Sequence, residues 1–328
     1  MTAAIDALLA AATGAWPAAL GAPPESDGAR LAVHAAPAGA RQRVVCSVWA
    51  SRSARPTFVA KLARVGDGGI PAEHDALRRL RTWGIEHTPF PIGLTTVDGA
   101  VAGIESELDG RVLRAWVQER ARSSSRWTPL GTISEWLERL HRASARPMTD
   151  EEAVTLIDEP LRAAGIGDLS GEEIVGLQRL RQAARSLRQV APLPVVFVHG
   201  DLGTTNVLVD QAGRLSGVVD WETARWGLPL TDLLYLVDAV VADLHQSAAT
   251  VHRYDLQDAV VGAAIEGSRG RSGMVADWIP IVRAAMLAGH ASREAASAAA
   301  RGVVRLPFRS RLRAALLDAP GSGTAYAS

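Results

Sequence analysis

The stretch VVFVHGDLGTTNVLVDQAGRLSGVVDWE, residues 195–222, decides how this chain folds. Two short apolar runs, Val207–Val209 and Leu215–Val219, flank the turn segment Asp210-Gln211-Ala212-Gly213-Arg214. Apolar runs of this length around a turn that contains Gly and Asp are typical of antiparallel strands. The stretch therefore predicts a β-hairpin that interrupts an otherwise helical second half of the chain.

Two oxygen-bearing side chains mark the open end of this hairpin. Asn206 lies seven residues before Gly213, and Asp220 lies seven residues after it, so antiparallel pairing brings both to the same end. Mg²⁺ binds one or two carboxylate or amide oxygens and takes its other ligands from water and phosphates. The pair therefore suits a hard cation of this kind.

Asp201 lies five residues before Asn206, on the loop that enters the hairpin. The spacing Asp-x-x-x-x-Asn, followed by a metal-binding Asp after the next strand pair, is that of the catalytic loop of protein kinases. Alternatively, these are ordinary turn and capping residues, because Asp and Asn are common in turns. We favour the catalytic interpretation because the same residues fit a complete phosphoryl-transfer site.

The residues HGDLGTTN, followed by VVDWE, resemble the signature of the aminoglycoside phosphotransferase and choline kinase family. That signature reads His-Gly-Asp-x-x-x-x-Asn and then Asp-x-Glu. The segment Gly227–Leu233 is similar to the family's Gly-x-Pro-x-x-Asp-Leu segment, and Leu140-His141 is similar to its Leu-His pair. The resemblance extends over roughly residues 30–240 and implies a protein-kinase-like fold.

The resemblance also implies a role for each polar residue of the stretch. Asp201 would accept or orient the proton of the substrate hydroxyl. Asn206 and Asp220 would hold Mg²⁺ on the phosphates of ATP. His199 would brace the loop, and Asp232, at the start of a helix, is expected to be a buried brace or cap.

A kinase-like site also needs a cation on a strand of the first lobe and an acid on the following helix. Lys61 is the only lysine among 35 basic residues. Coding bias and chance explain this count, or else the site needs a compact ammonium in place of a planar guanidinium. Alternation in the predicted strand Thr57–Leu62 puts Val59 on the same face as Lys61, where it would line an adenine pocket.

Glu73 is the predicted partner of Lys61. It shares one face of the predicted helix Pro71–Trp83 with Leu77 and Leu80. Since burying an unpaired carboxylate is costly, we expect Glu73 to pair with the lysine. A first-turn acid that interacts with the helix dipole, worth about 0.3–1 kcal/mol, is a compatible explanation.

Two further segments are assigned to the nucleotide. Glu107 and Leu108 belong to Glu105–Gly110, which resembles the family's connection between lobes, where backbone groups would bind the purine. Ala36–Gln42 occupies the position of the phosphate-covering loop, although it contains a single glycine. Side chains in the connection carry little information about the base, so ATP and GTP are both retained as donors.

The pattern along the whole chain predicts an α+β, bilobal, protein-kinase-like fold. Residues 1–107 are expected to form a nucleotide-binding lobe with a small antiparallel β-sheet and one helix. Residues 108–328 are expected to form a larger, mostly helical lobe with the catalytic loop and the substrate site. Further strands are predicted at Leu31–Ala35, Arg43–Trp49, Pro91–Thr96 and Ala100–Leu108, and further helices at Ile133–His141, Glu151–Ala164 and Glu172–Val190.

Composition limits the classes of partner. The chain has 328 residues, of which 48% are hydrophobic and 21% charged, which is typical of a globular protein with a substantial core. Its 35 basic and 35 acidic residues balance, so we expect no nucleic acid or anionic membrane as a partner. A single cysteine, the absence of a signal-peptide pattern and the absence of a membrane-length apolar run predict a cytoplasmic location.

The leading hypothesis is a kinase that uses ATP or GTP and Mg²⁺ to phosphorylate a hydroxyl of a small molecule, such as an antibiotic, sugar, nucleoside or amino alcohol. The alternatives are a pseudokinase without turnover and a peripheral membrane protein that uses the basic stretch Val303–Leu317. Seven arginines from Arg283 onward, against Glu294 and Asp318, disfavour a polycationic acceptor, but a solvated helix face explains them more simply. Nothing in the sequence fixes the oligomeric state.

Overall fold

The computed structural model of the protein describes residues 2–24, 29–34, 43–49, 54–120, 128–164, 169–190, 192–247, 273–301 and 307–319. The chain forms two compact units. The first comprises Met1–Ser124 and Gly203–Ala224, and the second comprises Ser125–Leu202 and Arg225–Ser328. The hairpin therefore belongs to the first unit, although the chain passes through the second unit before reaching it.

The helices and strands occupy most of the described ranges. The helices are α1 (Thr2–Gly14), α2 (Gly69–Thr82), α3 (Leu113–Arg120), α4 (Thr128–Ser144), α5 (Asp150–Ala153), α6 (Glu159–Ala164), α7 (Gly171–Val190), α8 (Thr231–Ser247), α9 (Gly273–Arg301) and α10 (Pro307–Leu317). The strands are β1 (Arg30–His34), β2 (Val44–Trp49), β3 (Phe58–Arg64), β4 (Pro91–Val97), β5 (Ala100–Ser106), β6 (Arg111–Val112), β7 (Val196–Val198), β8 (Val207–Val209), β9 (Leu215–Val218) and β10 (Arg225–Gly227).

A five-stranded sheet forms the centre of the first unit. Its order is β1-β2-β3-β5-β4, and every neighbouring pair is antiparallel. Asp98 and Gly99 connect β4 to β5, and their φ angles of 49° and 75° are the left-handed values that a tight hairpin turn requires. The structure thus confirms the antiparallel sheet and the Asp-Gly turn predicted from the sequence.

The two faces of this sheet pack against different helices. Phe58 and Ala60 of β3 point into an apolar cluster that includes Leu8 and Leu9 of α1. On the opposite face, Gly103 leaves room for α2, because a Cβ at this position would lie 2.8 Å from Cγ2 of Ile70. The alternation of β3 therefore directs Val59 and Lys61 away from α1 and toward the face on which α2 lies.

The sequence pattern does not predict the helix α1. Its segment TAAIDALLAAATG consists largely of alanine and leucine, which favour helix but give no strong contrast between a polar and an apolar face. Leu8 and Leu9 are nevertheless 1% and 3% exposed. Packing against the sheet, rather than a pattern readable from the segment alone, therefore fixes this helix.

The hairpin is present as predicted and forms a second, three-stranded sheet of order β6-β8-β9 in the first unit. The pairing of Val207 with Val218 and of Leu208 with Gly217 shifts to Val209 opposite Leu215. One extra residue, Ser216, is thus accommodated between the paired positions. Asn206 consequently lies opposite Val219, whose N–H donates to its carbonyl at 2.9 Å.

The second unit is mainly helical, with one small antiparallel sheet in which β7 pairs with β10. The helix α7 begins with a reciprocal cap: the Ser170 N–H donates to Glu173 Oε2 at 2.7 Å, and the Glu173 N–H donates to Ser170 Oγ at 3.3 Å. A Cβ on Gly176 would lie 1.9 Å from the Leu316 carbonyl oxygen, so α7 and α10 approach closely at this glycine. Across the described ranges, no helix combines the length and apolarity that crossing a membrane requires.

Leu8→Ala tests how far α1 stabilises the first unit. Because Leu8 is 1% exposed, its truncation is expected to lower the free energy of unfolding by about 2–5 kcal/mol. Urea unfolding followed by tryptophan fluorescence measures the change. Leu94→Ala in β4 is the matched control, since Leu94 is 42% exposed and its truncation should cost less than about 1 kcal/mol. Equal costs for the two substitutions would contradict a stabilising role for α1.

Candidate active site

Lys61 and Glu73 form a buried ion pair in the first unit. Lys61 Nζ lies 2.5 Å from Glu73 Oε1, and the two side chains are 13% and 4% exposed. The strand β3 places Lys61 on the face opposite Phe58, and α2 carries Glu73 among its buried residues Leu77 and Leu80. The pairing predicted from the sequence is therefore present.

A second carboxylate, that of Glu105, also contacts Lys61. Lys61 Nζ lies 3.0 Å from Glu105 Oε1. In the sheet, Glu105 of β5 pairs with Val59 of β3, which places it on the same face as Lys61. Two features of the sequence concern Glu105: it belongs to the predicted connection between lobes, and it alternates with the buried apolar residues of β5. Neither feature predicts a contact with Lys61. Its contact with the lysine depends on the strand order.

The acids around Lys61 raise its pKa, and the pKa of Glu105 is shifted as well. Burial alone would lower the pKa of Lys61, but the carboxylates of Glu105, Glu73 and Asp220 outweigh burial and raise it. Burial raises the pKa of Glu105 to about 7, an effect that Lys61 opposes and Glu73 reinforces. One ammonium therefore lies within electrostatic range of three carboxylates, an arrangement that a divalent cation would stabilise.

Glu73 also fixes the segment that follows the hairpin. The Trp221 backbone N–H donates to Glu73 Oε1 at 2.9 Å, and the Trp221 indole N–H donates to the Val218 carbonyl at 3.0 Å. Trp221 is fully buried. Asp220, which precedes it, has the left-handed values φ 67° and ψ 61°. Such values are uncommon outside glycine and concentrate at functional sites.

Asn206 and Asp220 offer the oxygen ligands that Mg²⁺ prefers. Asn206 lies opposite Val219, so Asp220 comes one residue after the position that faces Asn206, whereas the symmetric spacing predicted that the two face each other. An amide and a carboxylate near one hairpin end fit a magnesium ion that completes its shell with water and phosphate. Within the described ranges, no group of three or more His, Cys, Asp and Glu side chains could hold a metal by itself.

The other residues assigned to the nucleotide also lie in the first unit. Val59 is half-buried beside Lys61 on β3. Leu108 packs against the hairpin, because a Cβ on Gly217 would lie 2.7 Å from Leu108 Cδ1. Glu107 is half-buried in the segment that follows β5. The predicted phosphate-covering loop Ala36–Gln42 lies outside the described residues.

Arg43 ties β2 to the end of the hairpin. Its guanidinium forms an ion pair with Glu222 and, through Nη2, lies 3.0 Å from Asp67 Oδ1. The same Asp67 oxygen accepts the Gly69 N–H at 2.9 Å. A Cβ on Gly69 would lie 2.0 Å from Arg43 Nη2, so the arginine can occupy this place only beside a glycine. These contacts hold Glu222, the acid of the Asp-x-Glu pattern, against the start of α2.

The loop that carries Asp201 lies in the second unit and is held by a buried acid. The N–H groups of His199 and Gly200 donate to the two carboxylate oxygens of Asp232 at 2.7 and 2.9 Å. His199 is fully buried, and its Nδ1 accepts the Asp201 N–H at 3.3 Å. The structure thus gives His199 and Asp232 the bracing contacts that the sequence predicted for them.

Tyr235 is a further polar neighbour of Asp201. Its hydroxyl donates a hydrogen bond to the Asp201 carboxylate. Burial raises the pKa of Tyr235, and the negative charge of Asp201 raises it further, so the hydroxyl keeps its proton. Tyr235 lies three residues after Asp232 on α8, which places both on one side of the helix. No motif in the sequence marks it.

Comparison with known proteins supports a phosphotransferase. The model of the phosphotransferase enzyme family matches residues 33–265. The viomycin phosphotransferase of Streptomyces vinaceus is 43% identical over 61 residues, which are 18% of this chain and 21% of that protein. The match thus spans about a fifth of the length of that relative.

Two solved structures match most of the chain. A candidate fructosamine-3-kinase from Haemophilus somnus 129PT matches with a TM-score of 0.54 at 10% identity, over 96% of this chain and 97% of that chain. An aminoglycoside phosphotransferase from Streptomyces rimosus, in complex with ADP and streptomycin, matches with a TM-score of 0.45 at 18% identity, over 87% and 91%. The first of these likenesses confirms the predicted kinase-like fold class.

His141, on α4, gives the protein a defined pH dependence. Burial lowers the pKa of His141 from 6.5 to about 4, although the nearby Asp232 carboxylate opposes the change. Between these values the unfolded chain binds a proton that the folded chain does not bind. Stability is therefore fully present above the ordinary pKa and is lost as the pH falls toward the folded value.

The substitution His141→Gln removes this difference in proton binding. Between about pH 7 and about pH 5, the free energy of unfolding of the wild type is expected to fall by about 2 kcal/mol more than that of the variant. Urea unfolding at the two pH values measures both quantities. If wild type and variant lose stability in parallel, the neutral, buried state of His141 is contradicted.

Proposed function

Because a family model matches most of its length, the chain belongs to the phosphotransferase enzyme family, and we propose that it transfers the γ-phosphoryl group of ATP or GTP to a hydroxyl group of a small molecule. Family membership confirms the resemblance seen in the sequence and makes the protein an enzyme of the small-molecule kinase type. The observation that carries the proposed reaction is the double contact of Glu73. It pairs with Lys61 and accepts the N–H of Trp221, directly after Asp220.

The nucleotide would bind to residues of the first unit. Lys61 would contact the donor phosphates, and Glu73 would hold its ammonium in place. Val59 and Leu108 offer half-buried apolar surface for the base, and the backbone at Glu107 and Leu108 would hydrogen-bond its edge. In functional terms, residues 1–107 would form the nucleotide-binding lobe, and residues 108–328 would carry the catalytic loop and the acceptor.

Asn206 and Asp220 would hold Mg²⁺ on the phosphates. When bound, the ion would reduce the negative charge on the phosphoryl groups. Two features support this assignment: the oxygen donors near one hairpin end, and the three carboxylates within electrostatic range of Lys61. The left-handed backbone of Asp220 is a conformation kept at a cost, which is consistent with a functional position.

Asp201 would act on the acceptor. As the acceptor oxygen bonds to the γ-phosphorus, its proton passes to the Asp201 carboxylate. The bond from that phosphorus to the bridging oxygen breaks, and the nucleoside diphosphate leaves with the electron pair. The Tyr235 hydroxyl and the Asp232 contacts to the loop would keep the carboxylate oriented for the proton.

Asp201→Asn tests the role of the proposed base. An acceptor is first identified by screening hydroxylated metabolites and antibiotics for ADP formation. With that acceptor, kcat is expected to fall by about 10²–10⁴-fold because the amide accepts no proton. Mg·ATP should raise the melting temperature of the variant as much as that of the wild type, because Asp201 is not assigned to the nucleotide.

Asp318→Asn is the control for this experiment, since Asp318 is an exposed acid after α10. Its turnover should equal that of the wild type. Undiminished turnover in D201N would exclude Asp201 as the base. Nucleotide binding without phosphorylation of any screened alcohol would favour the pseudokinase alternative.

Lys61→Arg tests whether the site needs a compact ammonium. The planar guanidinium cannot occupy the space between Glu73 and Glu105 in the same way, so kcat/KM for the nucleotide should fall by at least about tenfold, or about 1.4 kcal/mol. Arg64→Lys, an exposed position on the same strand, is the reverse exchange and should leave kcat/KM unchanged. Full activity of K61R would make the single lysine a coincidence of composition.

A further inference from the structure

Lys61 lies between two buried carboxylates that come from different elements. Its Nζ lies 2.5 Å from Glu73 Oε1 and 3.0 Å from Glu105 Oε1. Glu73 belongs to α2, whereas Glu105 belongs to β5, the strand that pairs with β3. An ammonium has three N–H donors, and two carboxylates are already within their reach. A nucleotide phosphate that binds Lys61 therefore meets an ammonium with established partners.

The two carboxylates differ in their other contacts. Glu73 Oε1 also accepts the Trp221 N–H at 2.9 Å, so the segment that follows the hairpin fixes its position. Among the residues that the structure describes, Lys61 is the only ion-pair partner of Glu105. Glu105 is therefore the carboxylate that a phosphate can replace at the ammonium.

Replacing Glu105 at the ammonium is unfavourable. Glu105 is buried, and burial raises its pKa to about 7 even though Lys61 opposes the change. A phosphate that took over the lysine would leave this buried carboxylate without a partner. A phosphate that instead bound beside Glu105 would place like charges close together in a poorly hydrated site. Both arrangements cost free energy, and the cost increases with the negative charge of the phosphates.

A third carboxylate strengthens this effect. Asp220 precedes Trp221, whose N–H donates to Glu73, so the end of the hairpin is tied to the same site. Its negative charge acts on both Lys61 and Glu105. One ammonium thus faces three carboxylates before any phosphate binds.

The neighbouring cation Arg43 does not offset this negative charge. Arg43 directly precedes β2, in which Val45 pairs with Lys61. Its guanidinium forms ion pairs with Glu222 and Asp67, so two acids already match its positive charge. A metal-free polyphosphate would therefore add negative charge to a site that already has an excess of it, whereas the magnesium complex would add less.

We propose that Glu105 determines which form of the nucleotide binds: it competes with the phosphates for Lys61 and so disfavours the metal-free nucleotide relative to its magnesium complex. This assignment rests on the proposed function, in which Lys61 contacts the donor phosphates. Glu105 is a specificity-determining residue of the donor site and takes no part in the transfer itself.

Glu105→Gln tests the proposal because it removes the charge and keeps the shape of the side chain. The full chain is titrated by calorimetry with ADP in EDTA and with ADP in excess Mg²⁺, so that no transfer occurs. The pH is 8.5, at which Glu105 is ionised in the wild type. E105Q is expected to bind metal-free ADP at least about tenfold more tightly than the wild type, and Mg·ADP by about threefold or less.

Glu86→Gln is the matched control, since Glu86 is an exposed acid of the same unit, between α2 and β4. Its affinity for both forms of ADP should equal that of the wild type. Circular dichroism establishes whether each variant folds. Glu105→Met also removes the charge and has a side chain of similar length, so it decides the question if E105Q does not fold.

Three outcomes would overturn the proposal. Metal-free ADP could bind the Glu105 variants no more tightly than the wild type. Mg·ADP could gain as much affinity as metal-free ADP, or E86Q could gain as much as E105Q, which would make the effect one of net charge alone.

Nucleotide selectivity and phosphoryl transfer are decided separately. If E105Q gains affinity for metal-free ADP but no alcohol yields ADP from ATP, the role of Glu105 stands and the proposed kinase activity fails. If an acceptor is phosphorylated but E105Q binds metal-free ADP like the wild type, the kinase activity stands and the role of Glu105 fails.

Discussion

One buried carboxylate oxygen connects the residues of the candidate site that lie in the first unit. Glu73 Oε1 accepts a hydrogen bond from the Lys61 ammonium and another from the Trp221 backbone N–H. A helix, a strand and the end of a hairpin thus converge on one atom. Because an isolated carboxylate is costly to bury, the three elements stabilise one another only when all of them are in place. The orientation of Lys61 and the backbone at Asp220 both depend on this arrangement.

Local patterns in the sequence predict much of this arrangement. Alternation in β3 places Val59 and Lys61 on one face, helical spacing places Glu73 on the buried face of α2, and turn residues define the hairpin. The remaining features depend on contacts between distant segments. The contact of Glu105 with Lys61 requires β5 to lie beside β3, and the contact of Tyr235 with Asp201 requires the packing of α8 against the loop. The extra residue at Ser216 and the position of α1 leave no periodic signal.

The second unit shows why a count of charges is a weak guide to a binding site. The arginines after residue 282 form one basic group in the sequence, yet Arg313 pairs with Glu173 of α7 and Arg283 pairs with Asp238 of α8, whereas the charge of Asp201 acts on the pKa of Arg293. Each partner belongs to a different part of the chain. Only the packing of the helices determines which carboxylate each arginine interacts with.

The two-segment composition of the first unit has a consequence for biosynthesis. Residues 1–124 leave the ribosome well before Trp221 is translated, so the nascent chain forms β3 and α2 while the amide that Glu73 needs does not yet exist. The five-stranded sheet can form from residues 1–124, but the three-stranded sheet stays incomplete and the Glu73 carboxylate lacks its Trp221 partner until residues 203–224 have been synthesised. Expression of residues 1–124 alone would retain this unfinished state permanently.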